Sequence, residues 1–116
     1  MTKVYDLEER TFEFAKEVRL FVKTLSTSTA NIEDGKQLIR SSGSIGANYI
    51  EANESLSKKD FVYRIKICKK EAKESILFLR LIDVNNNSEL ENERKGLVQE
   101  GTELMKIFGA IQIKSQ

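Results

Sequence analysis

The chemistry open to this chain is narrowed first by a residue type it lacks, because none of its 116 positions is histidine. Without an imidazole, neither a Ser-His-Asp triad nor a Cys-His pair can form, and the commonest zinc ligand is missing. Cys68 is the only cysteine, which excludes an internal disulfide and a multi-cysteine zinc site. It falls on an apolar stripe and is read as a small buried residue rather than a nucleophile. The carboxylate pairs Glu51 and Glu54, and Glu71 and Glu74, each sit one helical turn apart. A di-metal site in a bundle needs Glu-x-x-His pairs or inward carboxylates from several helices, so these four are expected to be surface residues or ion-pair partners of Lys and Arg. The stretch Ser41 to Gly46, SSGSIG, resembles a phosphate cradle in composition only. It lacks the glycine, lysine and hydroxyl spacing of a P-loop and follows no strand. No catalytic residue, cofactor, metal or small-molecule substrate is expected, and an enzyme ranks last among the functions.

What remains is the chemistry of recognition. Between Leu56 and Ile82 there are eight basic residues against Asp60, Glu71 and Glu74. Six of them, Lys59, Lys66, Lys69, Lys70, Lys73 and Arg80, gather on one flank of a helix. Such a stripe can bind nucleic-acid phosphates by releasing counterions, or it can be a solvated face partly neutralised by Glu89, Glu91 and Glu93 of the next helix. On the same helix Tyr63, Ile67, Phe78 and Leu81 point roughly opposite to the core direction set by Ile65. A second apolar stripe marks an association surface, so self-assembly is expected. A third feature is a ridge of Gln37, Ser41, Ser44, Asn48 and Glu51, polar and almost uncharged. It is predicted to be covered by another subunit or a ligand, or to be a plain exposed face.

Four helices must position these groups. Leu7, Phe14, Val18, Phe21 and Leu25 share one face of a helix over 6–25. A polar stretch from Ser26 to Asn31 separates it from a second helix over 32–53, with Asn31 and Asp34 at capping-box spacing. That helix carries Gly35, Gly43 and Gly46, each costing about 1 kcal/mol of helix propensity relative to alanine. The three lie on the side of Ile39 and Ile50, and the expected reason is close approach of another helix backbone. Ser57 with Asp60 signals the start of a third helix ending near Ile82, whose core stripe is Phe61, Ile65, Cys68, Ala72, Ile76 and Leu79. Asn85 to Ser88 reads as a turn, and Ser88 with Glu91 opens a fourth helix bearing Leu90, Leu97, Leu104, Phe108 and Ile111. Short connections favour antiparallel neighbours. The expected fold is all-α, an antiparallel up-down-up-down four-helix bundle forming a single domain over residues 1–116.

Charged residues make up 32% and hydrophobic ones 40% of the chain, too apolar for disorder. No apolar run approaches the roughly 20 residues that span a bilayer. Met1 to Arg10 lack the apolar centre of a secretory signal, and a cytoplasmic location without membrane contact is expected. Nineteen basic residues against eighteen acidic ones leave a net charge of +1, so any nucleic-acid affinity must come from local clustering.

The run from Gly35 to Asn53, GKQLIRSSGSIGANYIEAN, followed by Ser57 to Phe61, SKKDF, resembles the bacterial four-helix-bundle family first noticed as proteins encoded in intervening sequences of 23S rRNA genes. The likeness extends from RTFEFA at Arg10 to ICKKEAKES at Ile67 and weakens after Ile82. The resemblance implies a ring-like homopentamer without known enzymatic activity, and it matches Ser44, Ile45, Asn48, Glu51, Ser57 and Phe61 to the family pattern. Accessory proteins of diversity-generating retroelements are similar in fold, and by that resemblance basic surfaces would engage RNA or DNA. The reading of function is a homo-oligomeric scaffold, with RNA or DNA as a further partner through helix 3. The alternative is a regulatory module that docks one different protein through Tyr63, Ile67, Phe78 and Leu81.

Overall fold

Each helix begins where a short polar side chain can accept from the free amides of a first turn. In the computed structural model, which describes residues 6–116, Asp6 accepts from the Glu8 amide to open α1 (Leu7–Lys23). Ser28 accepts from Asn31 to open α2 (Thr29–Asn53), Ser57 from Asp60 to open α3 (Lys58–Leu81), and Asn87 from Leu90 to open α4 (Ser88–Ser115). The first five residues of the Met1 to Arg10 stretch lie outside this range. Two starts differ from the sequence expectation. Asn87 rather than Ser88 caps α4. α2 begins three residues earlier than its apolar pattern, because Ser28 caps it and frees Asn31 for another task. Asn31 is buried, and its amide brackets the backbone of Asp83, donating from Nδ2 to the carbonyl at 2.9 Å and accepting from the amide at 3.0 Å. One side chain thus ties the α3–α4 connection to the start of α2. In that connection Asn85 and Asn86 adopt φ of 54° and 58°, the left-handed region that asparagine tolerates better than most residues.

The helices follow one another around a ring, α1 beside α2, α2 beside α3, α3 beside α4, and α1 touching α4 least. Pairs such as Glu8 with Asn53, Asn48 with Arg64 and Ser41 with Ser75 run in opposite chain directions, so neighbours are antiparallel, as the short connections predict. The core is filled by Phe14, Val18 and Phe21 of α1, Leu38, Ile45 and Ala52 of α2, Ile65, Cys68, Ala72 and Leu79 of α3, and Leu104 and Phe108 of α4. The rings of Tyr49 and Phe108 meet across it, 5.6 Å apart and tilted by 59°, a favourable edge-on aromatic geometry.

Of the three glycines of α2, Gly46 meets the backbone of another helix, at Thr11, while Gly35 and Gly43 face side chains of α1. A Cβ on Gly46 would stand 3.0 Å from Thr11 Oγ1, and one on Gly35 3.2 Å from Val22, so both admit α1 closely. Gly43 faces the movable end of Arg19. In cross-section the molecule is far from square, 36 by 19 Å over a length of 46 Å, and its open side is the seam between α1 and α4. No helix among the described residues is long and apolar enough to cross a membrane.

Candidate functional site

The outward face of α3 brings most of the predicted cations together and also changes their setting. Lys59, Lys66, Lys70, Lys73 and Arg80 are exposed, while Lys69 is half-buried and lays its aliphatic stem near Gly109 of α4. Among the described residues none of the six has an ion-pair partner within 4.0 Å. No carboxylate of α4 forms an ion pair with them. Glu91 pairs with Arg94 of its own helix, and Glu93 lines the α1 side instead, because the amino-terminal turns of α4 face α1 as well as α3.

The second apolar stripe is thinner than its spacing predicts. Tyr63 and Leu81 are 59% and 54% exposed, whereas Ile67 is half-buried. Phe78 packs against the core. It follows Glu71 and Ser75 at i, i+4, i+7, the flank that meets α2, so a helix wedged between two neighbours buries a wider arc than one core direction implies. Leu77, which the sequence reading passed over, is 49% exposed. By about 100° per residue it points with Lys66 and Lys70. Apolar and basic residues therefore share one face rather than lying on adjacent flanks.

Of the uncharged ridge of α2, only Ser41 is buried by the chain's own α3, while Gln37 and Glu51 at its ends are exposed. Ser41 is fully buried, its hydroxyl 2.9 Å from that of Ser75 on α3. Asn48 accepts from Arg64 of α3 at 3.0 Å and donates to the Ser44 carbonyl. Ser44 and Asn48 keep partial exposure at the rim of this seam. Beyond Ser41, Arg40 bridges both carboxylates of the next pair, at 3.4 Å from Glu71 and 3.0 Å from Glu74. Glu71 is buried, and its Oε1 has no hydrogen-bond partner among the described residues. Small polar side chains here let two helices meet with Ser41 and Ser75 satisfied by each other, and Glu71 Oε1 is the exception. Cys68 donates to the Ile45 carbonyl, and burial pushes its thiol up to about 12, the opposite of what a nucleophile needs.

A wide concavity lies where no site was expected, between α1 and the first half of α4. It encloses about 1130 Å³. Its apolar lining comes from Phe14, Leu20, Phe21 and Leu97, and its charged lining is Glu9, Glu13, Glu17, Glu93 and Glu100 against Arg10 and Lys23. Arg10 is committed at one end, donating to Glu100 at 2.8 and 2.9 Å and to Glu103 at 3.1 Å. The Glu100 hydrogen bonds hold the guanidinium above its ordinary value, and hydrogen bonds from Gln99 and Arg10 hold Glu103 below its own. The rest of the groove keeps an acidic wall beside an apolar floor, with Leu20 52% exposed. A signal was present in the sequence: Glu9, Glu13 and Glu17 recur every four residues and so form one stripe of α1. Among the described residues no group of three His, Cys, Asp or Glu side chains is placed to hold a metal ion.

These surfaces can be set beside known proteins. The family profile described as 23S rRNA-intervening sequence protein matches residues 3–110. A crystallised protein of unknown function from the S23 ribosomal protein family of Bacteroides thetaiotaomicron VPI-5482 is similar, with 28% sequence identity and a TM-score of 0.80 over 92% of this chain and 98% of that one. No curated protein matches.

Proposed function

Starting from a chain that belongs to the 23S rRNA-intervening sequence protein family, we propose that this protein is a non-enzymatic scaffold that assembles with copies of itself, the pentamer implied by its family resemblance being the expected form. The observation that supports this reading is the outward face of α3. Tyr63, Leu77 and Leu81 stand half-exposed or more among lysines without ion-pair partners. Apolar side chains grouped on one face and ringed by charge are the composition of a docking face. Mass measured in solution by light scattering tests it. An assembly of several chains is expected, falling in mass when Leu77 and Leu81 are both replaced by glutamate. A wild-type protein that stays at 13.3 kDa across the micromolar range overturns the reading and leaves the docking of a single different protein in its place.

One observation favours a second reading, nucleic-acid binding by the same helix: among the described residues none of the six cations is held in an ion pair. Phosphate binding of this kind weakens steeply with salt. Retention of RNA or DNA at about 50 mM salt that disappears by about 200 mM supports it, and no retention at the lower concentration removes it.

A further inference from the structure

The basic face of α3 and the acidic groove between α1 and α4 belong to different sides of the molecule, and their chemistries are reciprocal. α3 offers Lys66, Lys70 and Lys73 around Leu77. The groove offers Glu13, Glu17 and Glu93 around an apolar floor. We propose that the outward face of α3 in one copy seats in the α1–α4 groove of the next, so that the protein assembles head to tail. This inference rests on the self-assembly reading and specifies its partner surfaces.

Three features carry the pairing. The first is charge: carboxylates in the groove outnumber its cations, and Arg10 is engaged with Glu100 and Glu103, while around Leu77 four lysines stand beside a single carboxylate, Glu74, which is itself paired with Arg40. Opposed fields of this kind fix register and exclude wrong partners. The second is spacing. Carboxylates at 9, 13 and 17 and cations at 66, 70 and 73 each climb a helix by three or four residues, about 5 to 6 Å per step at 1.5 Å per residue. Two such stripes stay in step over two turns. The third is shape: the groove is an unfilled seam between two helices, the form that accepts a third helix laid along it, and Leu77 and Leu81 supply apolar matter for its floor. Ridge and groove are distinct patches, so the contact is heterologous. Repetition by a closing rotation gives a ring, and repetition without closure a filament.

Charge reversal in the full-length protein tests the pairing. One variant carries Glu13→Lys and Glu17→Lys, the other Lys66→Glu and Lys70→Glu. All four side chains are exposed, and far-ultraviolet circular dichroism confirms that the helices persist. Each variant alone is expected to fall to the one-chain mass of 13.3 kDa. Mixed in equal amounts, they are expected to reassociate into alternating assemblies with an even number of chains, because each then meets a complementary partner on both sides, whereas an odd ring such as a pentamer cannot alternate and is not expected from the mixture. Variants that keep the wild-type mass, or a mixture that stays monomeric, overturn the pairing while the wild-type assembly still stands. A monomeric wild type overturns the scaffold reading and the pairing together.

Discussion

Cys68 illustrates how far residue type alone determines chemistry. A lone thiol in a chain without histidine is read from sequence as packing material, and the structure agrees: it is fully buried, donates to a carbonyl, and is pushed up to about 12 by desolvation. In the unfolded chain the thiol ionises near 8.5. Because the folded value is the higher one, its contribution to stability is complete below the unfolded value and declines as pH rises from about 9 toward about 12. Native protein at pH 8 is therefore expected to resist a thiol reagent, with labelling that tracks global unfolding in a denaturant series. Rapid labelling without denaturant would show that the thiol is accessible. Asn31 shows the limit of the same approach. Its type and spacing fit a cap, yet its amide is spent on the backbone of Asp83, a residue 52 positions away, and no local pattern points that far.

At the scale of the element, the seam between α1 and α2 depends on missing side chains. A Cβ on Gly46 would stand only 3.0 Å from Thr11 Oγ1, whereas nothing lies within 4 Å of one on Gly96. Alanine is the better helix former by about 1 kcal/mol. Gly96→Ala is accordingly expected to raise stability by roughly that amount. At Gly46→Ala the clash with Thr11 offsets the gain, with a net loss of about 1 to 3 kcal/mol. Chemical denaturation of the two variants distinguishes these cases, and equal effects would mean that α1 yields easily. The glycine pattern, the Ser57 cap and the apolar faces of α1, α3 and α4 were legible in the sequence, because each follows from helical period or from capping within one turn; on α2 the same period also selects Ile32 and Ile50, which are 44% and 50% exposed. The division of α3 was not legible. Whether Phe78 faces water depends on the width of the arc that α2 covers, and whether Ser41 is a surface residue depends on Ser75, 34 residues on. The acidic stripe of α1 could have been read, but its meaning depends on which part of α4 stands opposite.

For the whole molecule, the ring of helices is uneven. α3 is held on both sides, while α1 rests on α2 and is joined to α4 by the Arg10 clasp near one end and by little along the rest. Regions with few buried contacts open at lower free energy than the global transition. In hydrogen–deuterium exchange the amides of α1 are expected to exchange before those of α3, and the reverse order would contradict the open seam. The two uses considered for α3 also compete, since a lysine seated in a neighbour's groove is not free for a phosphate. The unfilled seam has one more consequence. If another chain occupies it, the protection of α1 amides becomes dependent on protein concentration, slow when the solution is dense and fast when dilute. Each subunit would then leave its own folding slightly unfinished and receive the missing support from its neighbour.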